Sequence, residues 1–144
     1  SSLVRIEGAF PGIRKWHNAI AAELKESSSL TTPLGRRRQF WGRIEDGTTL
    51  RKAIAYVPQS TIGDLLNLGL YRVWNELKED GVDILGQVHD AILGQFPKDK
   101  ADVIVPKILN CMKNPMEVNG RQMIIPSDCE IGSNWKDMKK YVNA

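Results

Sequence analysis

Two stretches of the chain repeat their apolar residues at helical spacing. In residues 10–27 the apolar side chains recur every three or four positions, and Pro11 suits the first turn of a helix. In residues 61–80 they form one broad face, and the Gly81 that follows ends the pattern. The two apolar sets are Ile13, Trp16, Ile20 and Leu24, and Ile62, Leu65, Leu66, Gly69, Leu70, Val73, Trp74 and Leu77. Both stretches are predicted to be helices.

Short apolar runs separated by turn residues predict hairpins. Residues 82–89 and 91–96 read as two strands, with His89 and Asp90 near the turn between them. The dipeptide at 119–120, Asn-Gly, is typical of a tight turn and predicts another hairpin. Pro33 and Gly35 predict a turn or short hairpin that presents the neighbouring arginines.

The segment before the long helix predicts a separate, shorter helix. Thr48 or Thr49 can cap it, and the pattern runs through Ala55. Pro58 is expected to interrupt the helix, because proline removes a backbone donor and crowds the preceding turn. A new helix would then begin near residue 61.

Two helices are predicted in the last third of the chain. Residues 97–113 predict a helix bent or interrupted at Pro106, and residues 133–142 predict a terminal helix capped by Ser133. Runs of helices with antiparallel hairpins between them favour an α+β fold over alternating parallel βαβ units.

Length and composition fit one globular domain. The chain has 144 residues, of which 42% are hydrophobic and 26% charged. No apolar run approaches the roughly 20 residues that a membrane span needs, and residues 1–10 lack the layout of a secretory signal. Cys111 and Cys129 have neither metal-type spacing nor a disulfide framework around them. A reducing, cytoplasmic setting is therefore predicted, with no membrane partner.

Positive charge is concentrated in one part of the chain. The net charge is +3, which mildly favours polyanionic partners. The run GRRRQFWGR at 35–43 holds four arginines and two aromatic residues, and Arg51 and Lys52 follow soon after. Most acidic residues lie elsewhere. These arginines are either a solvated basic turn or a surface that contacts phosphates.

The His89-Asp90 pair is unusual between two apolar runs. A carboxylate there is costly unless it is exposed, paired or bound to something. Asp90 could make a local hydrogen bond at an exposed turn. It could instead bind a hard cation such as Mg²⁺, which takes one or two protein carboxylates together with phosphates and water.

Five short motifs, in order, resemble the C-terminal palm and fingers region of the family A DNA polymerases, the DNA polymerase I-like group. They are FPGIRKW, LTTPLGRRRQF, LRKAIAYVPQSTIGDLL, ILGQVHDAILGQFP (motif C of the family) and EIGSNWKDM. The resemblance implies that residues 1–144 are part of a right-hand polymerase domain. Residues 1–82 would form the helical region with the basic hairpin, and 83–144 the palm hairpin with the C-terminal helices.

The resemblance also implies roles for individual residues. Asp90 matches the motif C carboxylate that holds Mg²⁺ in a two-metal site, and His89 matches a residue against the primer terminus. Gln59 matches a contact to the minor groove at the terminal base pair, and Arg51 matches an arginine near the duplex. The basic hairpin that follows the fingers in the family contains Arg36, Arg37 and Arg38.

The chain departs from the family pattern at several positions. The glutamate that usually follows the motif C aspartate is Ala91, the glycine after Gln59 is Ser60, and an asparagine is replaced by Ala55. Motif A, with the second metal-binding aspartate, and motif B, which binds the nucleotide, are not recognised. The expected partners are therefore primer-template DNA, a dNTP and the polymerase segment that carries motifs A and B. The variant motifs favour a viral or phage enzyme, in the host cytoplasm.

Three functions remain open from the sequence. The chain could be the C-terminal part of a DNA-directed DNA polymerase, inactive without the missing segments. It could be a non-catalytic DNA-binding or scaffold module, which Ala91 and Ala55 favour, or a generic basic domain. Because the missing segments would cover apolar surface, we expect exposed apolar side chains on the helix at 61–79 and the hairpin at 84–96.

Overall fold

The computed structural model describes residues 9–142 and has α+β architecture, as predicted. Its strands form four separate two-stranded antiparallel sheets. The α-helices are α1 (Pro11–Ser27), α2 (Gly47–Leu77) and α3 (Ala101–Met112), with 3₁₀ turns at Lys78–Asp80 and Lys98–Lys100. The paired strands are β1 (Ser29–Thr31) with β2 (Arg37–Gln39), β3 (Asp83–Val88) with β4 (Ala91–Gln95), β5 (Met116–Val118) with β6 (Arg121–Met123), and β7 (Glu130–Ile131) with β8 (Lys139–Lys140).

The described chain forms two compact units, which divide between Thr61 and Ile62. The first unit has a core of buried apolar side chains from α1, the β1–β2 hairpin and the first half of α2. They are Ile20, Leu24, Leu30, Phe40, Ala53 and Tyr56. Helix α1 ends at Ser28, whose backbone is left-handed (φ 52°) and whose N–H donates to Leu24 O. The predicted helix and hairpin of this region are both confirmed.

Helix α2 corrects the prediction of two helices separated at Pro58. It runs without a break from Gly47 to Leu77, with Pro58 inside it. The buried residues on both sides of the proline explain the continuity, because Ala53 and Tyr56 belong to the first core and Val73 and Leu77 to the second. Packing of this kind outweighs the local cost of one missing helical hydrogen bond.

The second unit packs α2 against α3 and the base of the β3–β4 hairpin. Its buried core consists of Val73, Leu77, Val82, Ile104 and Cys111. Gly69 lies directly against Met112, so a side chain at this position would collide with the methionine sulfur. After α2, the 3₁₀ turn ends at Gly81, whose φ of 85° suits glycine. The predicted end of the long helix at Gly81 is therefore confirmed to within one turn.

Pro106 does not interrupt α3, so the interruption is wrong, whereas the bend that was its predicted alternative stays a prediction. The helix is continuous from Ala101 to Met112, and Ile104 and Val105 beside the proline are fully buried. Their burial stabilises the helical turn in which the backbone donor is missing.

The predicted terminal helix at 133–142 is wrong. The side-chain oxygen of Asn134 accepts hydrogen bonds from the N–H groups of Lys136 and Asp137, both at 3.0 Å. The same bonds would suit the first turn of a helix, but no helix follows, because the chain turns back to pair β8 with β7 and Tyr141 N–H donates to Cys129 O. The Asn119-Gly120 turn is confirmed, since both residues have positive φ between β5 and β6.

Candidate metal and nucleic-acid binding residues

His89 and Asp90 form the tip of the β3–β4 hairpin. Val88 pairs with Ala91, so the two residues between them make the whole turn. His89 has a φ of 53°, in the left-handed region that few residues other than glycine adopt. The strands below are bulged at Leu85, because Ile84 pairs with Gly94 and Gly86 with Leu93. The predicted hairpin and its turn are confirmed.

Both side chains at this tip are exposed. Among residues 9–142, neither takes part in a hydrogen bond, an ion pair or a ring contact with the protein. The local hydrogen bond that would explain Asp90 as a turn residue is therefore absent from the described part of the chain. The tip presents an imidazole and a carboxylate to solvent on a backbone that is strained at His89.

Asp90 can supply one ligand to a hard cation. Residues 9–142 contain no group of three or more His, Cys, Asp or Glu side chains arranged to hold a metal ion. A single exposed carboxylate suits Mg²⁺ only where other carboxylates, phosphates or water complete the coordination shell. The donor set thus fits one corner of a magnesium site.

The β1–β2 hairpin carries the predicted basic residues. Arg36, Arg37 and Arg38 are all exposed, in the turn and along β2. The turn is closed by hydrogen bonds from Thr32 N–H to Arg36 O (2.9 Å) and from Gly35 N–H to Thr32 O (2.8 Å). Gly35 has a φ of 87°, which favours glycine.

Several contacts fix these arginines to the unit beneath them. Arg37 Nε donates to Ser29 Oγ at 3.2 Å. The guanidinium of Arg38 lies 4.9 Å from the ring centre of Phe40 and 5.5 Å from that of Tyr56. The Tyr56 hydroxyl donates to Arg36 O at 3.1 Å. The hairpin therefore presents its positive charge on an ordered backbone.

Arg51 and Gln59 are exposed on α2, in the first unit. They are eight residues apart, which corresponds to about 12 Å along the helix axis and about 80° around it. Ala55 lies midway between them. Arg51 Nη2 donates to Thr48 Oγ1 at 3.3 Å. Arg51 and Gln59 are therefore in the same compact unit as the basic hairpin, whereas His89 and Asp90 are in the second unit.

Trp41 is a feature that the sequence did not single out. Its side chain is 90% exposed, whereas the adjacent Phe40 is only 7% exposed. The aromatic pair in GRRRQFWGR was visible in the sequence, but the strand register was needed to tell which ring faces the core.

A polar network between α2 and α3 was also missed. Arg72 Nη1 donates to the carbonyl oxygens of Asn110 (3.3 Å) and Cys111 (3.2 Å), at the C-terminal end of α3, and to Asn114 Oδ1 (2.9 Å). Its Nε donates to Glu76 Oε1 at 3.1 Å, while the Cys111 thiol donates to the other Glu76 oxygen. The spacing of four residues between Arg72 and Glu76 could have predicted their ion pair within the helix, but not the contacts to α3.

This network changes the acidity of two groups. The hydrogen bond from Arg72, and then that from Cys111, lower the pKa of Glu76 below its ordinary value. Burial, followed by the hydrogen bond to Glu76, raises the pKa of the Cys111 thiol. The arrangement stabilises a charged Glu76 and a neutral Cys111.

Exposed apolar side chains occur on both surfaces where they were expected. Helix α2 exposes Leu68, Tyr71 and Trp74, and the β3–β4 hairpin exposes Leu85 and Val88. Lys78 lies 4.7 Å above the Trp74 ring and covers part of it. Within residues 9–142, no helix is both long and apolar enough to span a membrane.

The fold is similar to that of a known polymerase domain. A solved structure described as the POL domain of Pol1 from M. smegmatis, in complex with DNA primer-template and dNTP, aligns with a TM-score of 0.70. The alignment covers 84% of this chain and 24% of that one, at 22% sequence identity. This likeness establishes the α+β polymerase-type fold.

The sequence comparison establishes the family. Residues 5–137 match the DNA polymerase family A, so the chain belongs to that family. DNA polymerase I of Deinococcus radiodurans is 31% identical over 137 residues, and the thermostable DNA polymerase I of Thermus thermophilus is 26% identical over 137 residues. These alignments cover 90% and 92% of this chain but only 14% and 16% of the relatives. The resemblance inferred from the five motifs is confirmed.

Proposed function

We propose that this chain supplies the motif C part of a DNA-directed DNA polymerase that transfers nucleotides to a primer by a two-metal mechanism. The observation that carries the proposal is the exposed His89-Asp90 tip, which has no structural contact among the described residues. Family membership over residues 5–137 supports the same conclusion. Motifs A and B would come from another segment, and a viral source remains part of the proposal, although the relatives named above are bacterial.

In this proposal each unit has a different task. Asp90 binds Mg²⁺, which when bound stabilises the developing charge on the transferred phosphoryl group. His89 lies against the primer-terminal phosphate and orients the primer end. Gln59 donates to groove acceptors that every base pair offers, so it tests pair geometry without reading sequence. Arg51 and the three hairpin arginines bind backbone phosphates.

The decisive experiment compares Asp90→Asn with Asp83→Asn in primer extension. The assay uses this chain assembled with a segment that carries motifs A and B. Asp83 lies at the other end of the same hairpin, where it accepts a hydrogen bond from Gln95, so its replacement is a matched loss of charge. We expect Asp90→Asn to lower extension by at least about a thousandfold, because a metal site contributes several kcal/mol. Asp83→Asn should change the rate less than about threefold.

Duplex binding by the same variants completes the test. Asp90→Asn should bind primer-template DNA about as tightly as the wild type, because Arg51 and the hairpin arginines, which are proposed to bind the backbone phosphates, are unchanged. If Asp90→Asn extends primers at the wild-type rate, the metal role of Asp90 is wrong.

A non-catalytic DNA-binding module is the second candidate, and Ala91 is the residue that favours it. Ala91 is exposed at the start of β4, so a glutamate fits there without displacing a core residue. If the chain is catalytic, Ala91→Glu should lower the Mg²⁺ concentration that supports half-maximal extension. If the assembled wild-type protein binds DNA but neither it nor Ala91→Glu extends a primer, the scaffold function is the better description.

A further inference from the structure

Trp41 is the most exposed tryptophan of the chain, and the residues on either side of it are anchored. At 90% exposure it leaves nearly the whole indole in water, which forgoes the stabilisation that burial of a large apolar side chain gives. The N–H of Phe40 before it donates to Ser28 O at 2.8 Å, and the Phe40 ring is buried. Gly42 after it packs so closely on Thr49 that any side chain at 42 would collide with the threonine hydroxyl. An indole held between two anchored residues can bind a partner with little loss of backbone entropy.

The segment around Trp41 carries positive charge, flanked by Glu26 on one side and by Glu45 and Asp46 on the other. Between residues 27 and 44 the sequence has four arginines and no acidic residue. Arg37 is tied to Ser29 and Arg38 is stacked on Phe40 and Tyr56, so two of the charges are held in place on the strand that leads to Trp41. A partner of this surface must therefore carry negative charge and offer a flat apolar face. A nucleic-acid strand has both, in its phosphates and its bases.

We propose that Trp41 stacks on an unpaired base of a DNA strand whose phosphates are bound by the arginines of the β1–β2 hairpin. This rests on the proposed function only in taking DNA as the ligand. The base must be unpaired or terminal, because inside a duplex each base face is covered by its neighbours. The chain thus contacts single-stranded DNA through a residue outside the motif C tip and outside Gln59 and Arg51.

The test measures the affinity of the 144-residue chain for two fluorescently labelled DNAs, a single strand and a blunt duplex of the same length. The variants are Trp41→Ala, Trp41→Phe and Trp41→Leu, with Leu34→Ala as the matched control. Leu34 is an exposed apolar residue in the turn of the same hairpin, so its loss removes apolar surface without removing a ring. Thermal melting checks that each variant is folded.

We expect Trp41→Ala to weaken single-strand binding about 5- to 150-fold, the range for one stacked base. Duplex affinity should change less than about twofold. Trp41→Phe should retain most of the single-strand affinity, because phenylalanine can still stack on a base. Trp41→Leu should not, because leucine is also a large apolar side chain but has no aromatic face. Leu34→Ala should bind like the wild type.

Other binding results would contradict either stacking by Trp41 or DNA binding by the chain. If wild type binds both DNAs and Trp41→Ala binds the single strand equally well, stacking is wrong while the proposed function stands, and Trp41 is left to contact protein. Equal losses for single strand and duplex, or equal affinities of the leucine and phenylalanine variants, would also overturn stacking. If the wild type binds neither DNA, both stacking by Trp41 and phosphate binding by the hairpin arginines are overturned for this chain, while the metal role of Asp90 is judged separately by primer extension of the assembled protein.

Discussion

The two compact units use their polar contacts in different places. In the first unit the contacts lie within and beneath the β1–β2 hairpin, where Tyr56, Ser29 and Thr32 hold the backbone and the arginines. In the second unit the largest connected set lies between α2 and α3, around Arg72 and Glu76. The β3–β4 tip has none among the described residues.

This difference separates two kinds of functional surface. The arginines of the first hairpin have both a structural and a binding use, so mutating them changes stability and affinity together. His89 and Asp90 stabilise nothing that the described chain contains, and His89 occupies a backbone conformation that costs about 1–3 kcal/mol. A strained, exposed and unpartnered pair is the clearer signal of function.

The largest contrast is expected between leucines of the two hairpins. Leu30 on β1 is 1% exposed, whereas Leu85 at the β3 bulge is 56% exposed. Leu30→Ala should lower the free energy of unfolding by about 2–5 kcal/mol, because it opens a cavity in the first core. Leu85→Ala should change it by less than about 0.5 kcal/mol. Chemical denaturation measures both, and a similar loss for the two variants would contradict the comparison.

A smaller effect is expected at the hydrogen bond that holds the turn of the basic hairpin. Tyr56→Phe leaves Arg36 O without its side-chain donor and should cost about 1 kcal/mol. Tyr71→Phe is the control, because Tyr71 is exposed on the same helix, its ring lies beside Trp74, and among residues 9–142 its hydroxyl has no hydrogen-bond partner. Hydrogen exchange of residues 29–39 should rise in the Tyr56 variant alone. An unchanged exchange rate there would mean that the hairpin is ordered by packing only.

The sequence predicted those parts of the fold in which local pattern and packing agree. The apolar spacing of α1, the Asn119-Gly120 turn and the His89-Asp90 turn are all local signals, and all three elements are confirmed. The continuity of α2 through Pro58 could not be predicted, because it depends on two cores formed by distant residues.

The same limit applies to the candidate site. Residue types and order were enough to nominate Asp90, His89, Gln59 and the arginines, whose roles stay predictions. Whether an aromatic residue such as Trp41 is buried or exposed depends on strand register, which the sequence leaves open. In the terminal segment, Lys139 and Lys140 pair with β7, and a helix prediction based on local spacing misses that pairing.

A change of at most about 1 kcal/mol, in either direction, is expected at the tip of the second hairpin. His89→Gly removes the strain of a positive φ but adds unfolded-state entropy, so the free energy of unfolding should stay within about 1 kcal/mol of the wild type. Val88→Gly, one residue earlier in β3, should be destabilising because its φ is ordinary. If His89→Gly is the more destabilising variant, the His89 side chain stabilises the fold, and the contrast between the two hairpins is wrong.

The smallest expected effect concerns the polar contacts of the second unit and depends on pH. The pKa of Glu76 is lowered by Arg72 and Cys111 from an ordinary value of 4.5, so the folded state favours the charged carboxylate. Its contribution to stability is therefore present above pH 4.5 and lost as the pH falls through the lower folded-state pKa. The melting temperature of wild type should exceed that of Glu76→Gln at pH 7, and the gap should narrow below pH 4.5.

Glu79→Gln is the matched control, since Glu79 is exposed in the following 3₁₀ turn. A gap that stays constant between pH 7 and pH 3 would mean that Glu76 acts through packing rather than charge. The contacts around Arg72 would then stabilise the second unit by packing, and the contrast between the two units would not extend to Glu76.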